Sequence, residues 1–357
     1  MNASRGAPGV NRSGAPLLLY NRETERSAPA LEETILSLTG DGKCVQIRGE
    51  RGENGWRFRR EGGGWHGDLS DVLRSLDPFC LAMRPVEAHP MFSRPIWQWL
   101  KSASAEGRRI DWEAWERLLK RDNPVFRAAS LIRDARRMVL ISGAGLSVDS
   151  GLKDFRSPSG WWRNIDPRTV ATVEALEFRY DLFHEFYSER IRQLKDVVPH
   201  RGYAILAEWE RRGVLACVCT QNVDRLHHLA GSRNVYELHG TIREFRCHAC
   251  GAPAAEEAFL EKRKCRCGGK LRPNVVLFGE SLPSEAWNRS LNAIREADLV
   301  LVIGTSLQVA PVNQLPFLTR GKLVLINAEE TGYEDRFDVF VKGRALDSLM
   351  AIEEQLS

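Results

Sequence analysis

RMVLISGAGLSVDSGLKDFR, residues 137–156, opens on a short continuous apolar run and turns abruptly into Gly-Ala-Gly. An unbroken Val/Leu/Ile run of this kind marks a strand buried on both faces, as in a parallel sheet. A strand ending in Gly143, Ala144 and Gly145 lets backbone come close to a pyrophosphate, whose charge is met by the amides that follow. Gly-x-Gly alone is equally the mark of an ordinary tight turn, and the third glycine of the usual dinucleotide fingerprint is absent. The next residues are more particular. Ser147, Ser150, Asp154, Phe155 and Arg156 place hydroxyls, an acid, an aromatic ring and a guanidinium beside the loop. Such a set suits chemistry on a nucleotide's ribose and nicotinamide better than it suits holding a cofactor for hydride transfer.

The same kind of run recurs at GVLACVCT (213–220), ADLVLVIG (297–304) and KLVLINA (322–328). Helical patterns lie between them, at LFHEFYSERIRQLK (182–195) and EAWNRSLNAIREA (285–297). Strands alternating with helices predict an α/β fold on a doubly wound, Rossmann-like parallel sheet. Cys217 and Cys219, two apart on one run, read as small buried apolar residues.

Upstream of about residue 123 the pattern differs. VQIRGE (45–50) and WRFRRE (56–61) alternate apolar with polar across RGENG and predict a hairpin. DLSDVLRSL (68–76) carries an Asp start signal and helical spacing. The stretch from Pro78 to Pro95, with Pro85 and Pro90 inside it, predicts irregular structure. PIWQWLKSA and DWEAWERLLKR predict two helices, with Trp97, Trp112 and Trp115 as core anchors. Residues 31–122 are therefore expected to form a small α+β domain of unassigned role, open to a protein partner. Residues 1–30, rich in Gly, Ala, Pro, Ser and Arg with no acid before Glu23, are expected to be a disordered tail.

Bulk composition narrows the classes. The 357 residues suffice for two or three domains at roughly 100–200 residues each. A formal charge of +4, from 51 basic and 47 acidic residues, gives no argument for nucleic acid. No apolar run approaches the ~20 residues of a membrane helix, and no repeat suggests a solenoid. Four of the eight cysteines (Cys247, Cys250, Cys265 and Cys267) fall in one short segment. That clustering points to a metal rather than disulfides, hence to a reducing compartment, taken as cytoplasmic.

In these features the chain resembles the sirtuins, the Sir2-like NAD-dependent protein deacylases. Beyond the glycine loop, TQNVDRLHHLAG (220–231), VYELHG (235–240), LRPNVVLFGE (271–280) and GTS (304–306) appear in sirtuin order. The resemblance covers about residues 125–357, so the catalytic domain is expected at 123–357. One departure is Lys153, where the family more often has proline. By position, the resemblance implies that Gly143, Ala144, Gly145, Asp154, Phe155, Arg156 and Trp162 lie along NAD. It places Gln221, Asn222, Val223 and Asp224 around the nicotinamide end, with Asn222 and Asp224 also catalytic. Gly304, Thr305 and Ser306, then Asn327, Ala328 and Glu329, and finally Ala345 would meet the remaining cofactor atoms, the adenine end among them.

The reaction implied is attack of an acyl-lysine oxygen on the anomeric ribose carbon as nicotinamide leaves. A ribose hydroxyl then attacks the adduct, which needs a general base near neutral pH. His239, in ELHG, is the expected base, since an unperturbed imidazole titrates near 6.5. His227, His228 and His248 read as structural. The products would be nicotinamide, free lysine on the target and O-acyl-ADP-ribose.

Cys247-x-x-Cys250 and Cys265-x-Cys267, with residues 251–264 between, suit a structural tetrahedral Zn2+ in a module at about 243–272. The second pair is one residue shorter than the sirtuin pattern. VVLFGE is expected to offer an exposed edge, through Val275, Val276, Phe278, Gly279 and Glu280, on which an acyl-lysine protein or peptide adds as a strand. Tyr187 and Arg190, three apart on a helix, resemble the Tyr-x-x-Arg pair of sirtuins that remove acidic acyl groups such as succinyl or malonyl. Two other readings share the NAD loop: an NAD hydrolase or ADP-ribosyltransferase, and a non-catalytic NAD-sensing module. The cysteine cluster and FGE segment weigh against the first, and His239, Asn222 and Asp224 against the second.

Overall fold

A computed structural model describes residues 32–40, 43–52, 55–76, 83–107, 110–121, 123–152 and 166–356. The expected tail, Lys153 and the candidates Asp154, Phe155, Arg156 and Trp162 lie outside the described residues.

The N-terminal unit is a four-stranded antiparallel sheet of β1 (Glu32–Gly40), β2 (Lys43–Gly52), β3 (Gly55–Arg60) and β4 (Arg84–Ala88), in the order β3-β2-β1-β4. The expected hairpin is present as β2 and β3, closing at Gly52 opposite Gly55. The stretch read as irregular between Pro78 and Pro95 contains β4 instead. Its Pro85 is tolerated because β4 is an edge strand, where a missing N–H costs no ladder bond. Asp68 caps the helix Leu69–Arg74 by accepting from the Ser70 N–H at 2.8 Å. The helix Ser93–Ala105 buries Ile96 and Leu100 in the same core as Trp115 of the helix Trp112–Glu116. Trp97 and Trp112 meet edge to face at 5.2 Å, so the tryptophans anchor a core as expected.

The larger unit carries β5 (Met138–Ser142), β6 (Leu215–Thr220), β7 (Val235–Glu237), β8 (Gly240–Cys247), β9 (Pro253–Ala254), β10 (Leu271–Val275), β11 (Leu299–Ile303), β12 (Lys322–Asn327) and β13 (Val339–Lys342). Six of these form one all-parallel sheet in the order β13-β12-β11-β5-β6-β7. Both faces are covered, which explains the unbroken apolar runs. Met138, Leu140, Leu299 and Leu301 join Ile132, Trp209 and Leu349 on one side. Val139, Ile141, Val300 and Val302 join Ile294 and Leu315 on the other, together with Cys217 and Cys219. The chain passes from β5 to β6 on one flank and returns to β11 on the other. The crevice beyond the carboxyl ends of β5 and β11 is thus the topological switch point, where open α/β sheets bind ligands.

A second, three-stranded sheet, β10-β8-β9, stands against the helix Tyr180–Gln193 through Phe183, Phe186, Ile242, Phe245 and Leu271. No helix among the described residues is long and apolar enough to cross a membrane.

Candidate active site

Two glycine loops form the floor of the crevice. Gly143 N–H donates to the Ile303 carbonyl at 2.9 Å, and Gly145 N–H to that of Gly304 at 2.8 Å. Gly304 has φ +64°, and a Cβ there would sit 2.2 Å from the Leu146 nitrogen. The close approach that a third local glycine provides in the usual fingerprint is made here by Gly304 of another strand.

A cavity of about 1150 Å³ opens above this floor. That exceeds the ~300–1,000 Å³ of a single drug-sized ligand, leaving room for a dinucleotide and part of a second molecule. Its walls include Gly143, Ala144, Gly145, Gln221, Asn222, Val223, Gly304, Thr305, Ser306, Asn327, Ala328, Glu329 and Ala345. His239, Tyr187, Arg190, Val275, Val276, Phe278, Gly279 and Glu280 face the same space. Asp224 is absent from the walls.

Asp224 instead lies buried behind them. Its carboxylate accepts from Ser147 Oγ at 2.7 Å and from the Leu226 N–H at 2.9 Å, and burial raises its pKa. The Asn222 side-chain amide donates to the Gly143 carbonyl at 3.0 Å and to Ser147 Oγ at 3.1 Å. Asp224 therefore orients Ser147, and Ser147 helps hold Asn222 against the glycine loop. Thr220 Oγ1 accepts from the Asn222 N–H at 3.0 Å, and Gln221 Nε2 donates to Thr305 Oγ1 at 3.1 Å. The nicotinamide-side candidates are thus tied to both glycine loops.

His239 sits between β7 and β8, half-buried. Its Nδ1 lies 3.1 Å from the Gln221 carbonyl, which can only accept, so the proton resides on Nδ1 and Nε2 is the basic nitrogen. Burial lowers its pKa below the ordinary 6.5, against a smaller opposing effect of that carbonyl. The imidazole is therefore neutral, and able to accept a proton, at pH 7. His227 is fully buried on Ser142 Oγ at 2.9 Å, with burial pushing its pKa down to about 3. His228 lies near Glu237 and His248 near Glu177, and neither lines the cavity.

The FGE segment departs from the expected bare edge. Val276 N–H donates to the His239 carbonyl at 2.8 Å, Leu277 N–H to Glu280 Oε2 at 2.9 Å, and Phe278 N–H to Ala171 O at 2.9 Å. Glu280 N–H returns to Leu277 O at 3.0 Å. The segment is a closed turn from which Phe278 and Gly279 project into solvent. Arg272, 0 % exposed, explains the closure: it grips Glu280 with two nitrogens, at 2.6 and 2.9 Å, and also reaches the Val275 carbonyl. Glu280, expected to meet substrate, spends its carboxylate on this clamp. An arginine amid the apolar LRPNVV, eight residues before Glu280, was the available signal for it. Gly240 lets β10 pass: its φ is +69°, and a Cβ would come within 2.2 Å of the Asn274 carbonyl oxygen.

Tyr187 and Arg190 share the cavity wall with His239. Burial pushes the Tyr187 phenol up to about 12 and the Arg190 guanidinium down to about 10, so at neutral pH one is an uncharged donor and the other a cation. Arg190 also lies over the Phe186 ring at 5.6 Å.

The four clustered cysteines face one another across the tips of the small sheet. Cys247 and Cys267 sulfurs are 3.5 Å apart, Cys250 and Cys265 3.7 Å, and all four lie within 4.8 Å of one another. Zn–S bonds of ~2.3 Å in a tetrahedron give S···S edges of about 3.8 Å, so the set fits zinc despite the one-residue spacer. Gly269 makes room, since a Cβ there would meet the Cys247 sulfur at 2.7 Å.

Asp149, Gly343, Arg344, Trp287 and Asn288 also line the cavity and had no sequence signal. Fold and site together define a doubly wound nucleotide-binding protein with an attached four-thiolate module. Residues 143–311 match the Sir2 family. The chain is 45% identical to NAD-dependent protein deacetylase 1 of Geobacillus kaustophilus over 64% of its own length and 97% of that protein. It is 40% identical to the NAD-dependent protein deacetylase of Sulfurisphaera tokodaii over 64% of its length and 95% of that relative. A solved complex of Sir2 with a peptide and NAD+ is similar at TM-score 0.60 and 32% identity, over 64% of this chain and 97% of the other. Sir2 bound to an acetylated peptide is similar at TM-score 0.59 and 30% identity, over 65% and 98%. This chain belongs to the Sir2 family. The match at 143–311 leaves the N-terminal sheet outside it.

Proposed function

We propose that this protein is an NAD-dependent protein-lysine deacylase with His239 as its general base, giving nicotinamide, free lysine and O-acyl-ADP-ribose. The observation that carries the reading is the tautomer of His239, whose Nδ1 proton is held by the Gln221 carbonyl, leaving a neutral, basic Nε2 on the wall shared with the glycine floor. NAD, when bound, supplies the ribose carbon that receives the acyl oxygen. His239 Nε2, kept neutral by burial, takes the proton of the attacking hydroxyl as a general base. Asn222, locked by Gly143 and Ser147, presents a fixed carboxamide toward the nicotinamide end. Arg190 and Tyr187 favour a substrate whose acyl group ends in a carboxylate, because a cation and a phenol donor converge on one wall. Cys247, Cys250, Cys265 and Cys267 would hold a structural Zn2+ that ties the end of β8 to the segment leading into β10. The four-thiolate site suits a reducing compartment, and we place the protein in the cytoplasm. We assign residues 123–357 to catalysis, with the zinc module at 243–272, and 31–122 to a separate unit that is open to a protein partner.

The test is incubation with NAD and acetyl-, succinyl- and malonyl-lysine peptides, with products identified by mass spectrometry. O-acyl-ADP-ribose together with deacylated peptide is expected, and both should vanish in His239→Ala and His239→Tyr while the fold persists. Free nicotinamide without peptide turnover would overturn the deacylase reading in favour of NAD hydrolysis.

A further inference from the structure

The N-terminal sheet lies outside the family match, yet it reaches the cofactor side of the cavity. Arg51, at the end of β2, forms an ion pair with Asp347 in the first turn of the helix Ala345–Leu356, and lies 3.9 Å from Asp149. Asp149 belongs to the glycine turn Ala144–Ser150, pairs with Arg344, and accepts from the Leu346 N–H at 3.2 Å. Its side chain is only 3% exposed, and it lines the cavity together with Arg344 and Ala345. Nearby, Met91 of the same N-terminal unit packs on the core of the large sheet. Among the described residues the unit thus meets the catalytic part through an apolar contact and an ionic one, the ionic one at the cavity rim.

Charge gives this anchor a role. Asp149 and Asp347 are matched at the rim by Arg51 and Arg344, and Glu33 of β1 adds a further negative charge that Arg51 also feels. Without Arg51 the cluster of Asp149, Asp347 and Arg344 carries a net negative charge, set against a ligand whose diphosphate is itself anionic. Partly buried charges are screened less than exposed ones, so the imbalance acts at short range. We infer that Arg51 is a positioning residue for NAD, by which the N-terminal unit neutralises and orders the Asp149–Arg344 rim of the cofactor site.

This rests on the reading that the cavity takes NAD, and the experiment separates the two. In the full-length protein, KM for NAD, KM for acyl-peptide and kcat are measured for wild type, Arg51→Ala, Arg51→Lys and the double variant Arg51→Ala/Asp347→Asn. Arg51→Ala is expected to raise KM for NAD about tenfold, within the usual range of coupling between sites, with kcat and peptide KM unchanged. Lysine should restore much of the loss. The double variant, which removes the carboxylate that Arg51→Ala leaves unmatched without regaining the contact, should bring KM for NAD back toward wild type. A purely packing role would instead leave the double variant as poor as Arg51→Ala, and that result overturns the inference, as does an unchanged KM in Arg51→Ala. If the wild type fails to consume NAD at all, the functional reading falls and the inference with it.

Discussion

Gly304→Ala tests the geometry of the cavity floor most directly. A methyl group there meets backbone only: the Leu146 nitrogen at 2.2 Å, Gly145 C at 2.6 Å and Gly145 Cα at 2.9 Å. Non-bonded heavy atoms rest at roughly 3.5 Å, so the 144–150 turn must withdraw by about 1 Å. Such a shift stretches the 2.8 Å bond from Gly145 N–H to Gly304 O and the 2.9 Å bond from Gly143 N–H to Ile303 O. Each lost bond costs ~1 kcal/mol. The left-handed backbone adds about 1–2 kcal/mol for any residue with a Cβ, making about 3–4 kcal/mol in all. For a domain of this size that lowers Tm by roughly 6–16 °C. Displacing the floor by about 1 Å also costs up to ~100-fold in turnover through misplaced reacting groups. Gly332→Ala is the control, since its φ is +81° but nothing lies within 4 Å of the added Cβ. It should lose only the conformational cost, about 1–2 kcal/mol, and keep its turnover. Differential scanning fluorimetry and initial rates read both variants. Equal melting points, or Gly304→Ala with wild-type turnover, would refute the argument.

Three further outcomes are expected. Because burial lowers the His239 pKa, the base stays neutral into mildly acid solution, and the acid limb of the kcat/KM profile should fall below pH 6.5; a limb centred above that value would remove His239 as the titrating group. Arg190→Met should cost about 1.5–3 kcal/mol, or roughly 10- to 160-fold, in kcat/KM for succinyl-lysine peptide while sparing acetyl-lysine peptide; parallel losses on both would assign Arg190 a structural role. Removing zinc with a chelator should lower Tm and raise peptide KM, because β8 begins next to His239 and β10 ends at Val275; unaltered kinetics in metal-free protein would show the module to be dispensable.

The central sheet was legible because strands buried on both faces must be continuously apolar, as MVLIS and LVLVI are. Elsewhere the signal faded for physical reasons. β4 holds Pro85, which reads as a breaker until its edge position is known. In β8, GTIREFRC mixes buried and exposed residues because only part of the strand is covered. Local motifs located the glycine loops, His239 and the cysteines. What escaped were partners distant in the chain: Arg51 with Asp149 and Asp347, and Asp224 set behind Asn222 rather than beside it. The local fold of the FGE segment escaped for a related reason, since the Arg272–Glu280 clamp and the Ala171 carbonyl that accepts from Phe278 N–H are set by other parts of the chain.

The hydrogen bond from Val276 N–H to the His239 carbonyl, with Val275 paired opposite Gly240, ties the FGE turn to His239, while the Gln221 carbonyl at its Nδ1 ties the same residue to the glycine floor. His239 thus stands at the joint between the large sheet, which ends nearby in β7, and the small sheet, which begins with β8. A displacement of one sheet against the other would therefore pull on the imidazole from both sides at once. In such an arrangement one side chain couples the two sheets, so a change packed into either is felt at the imidazole.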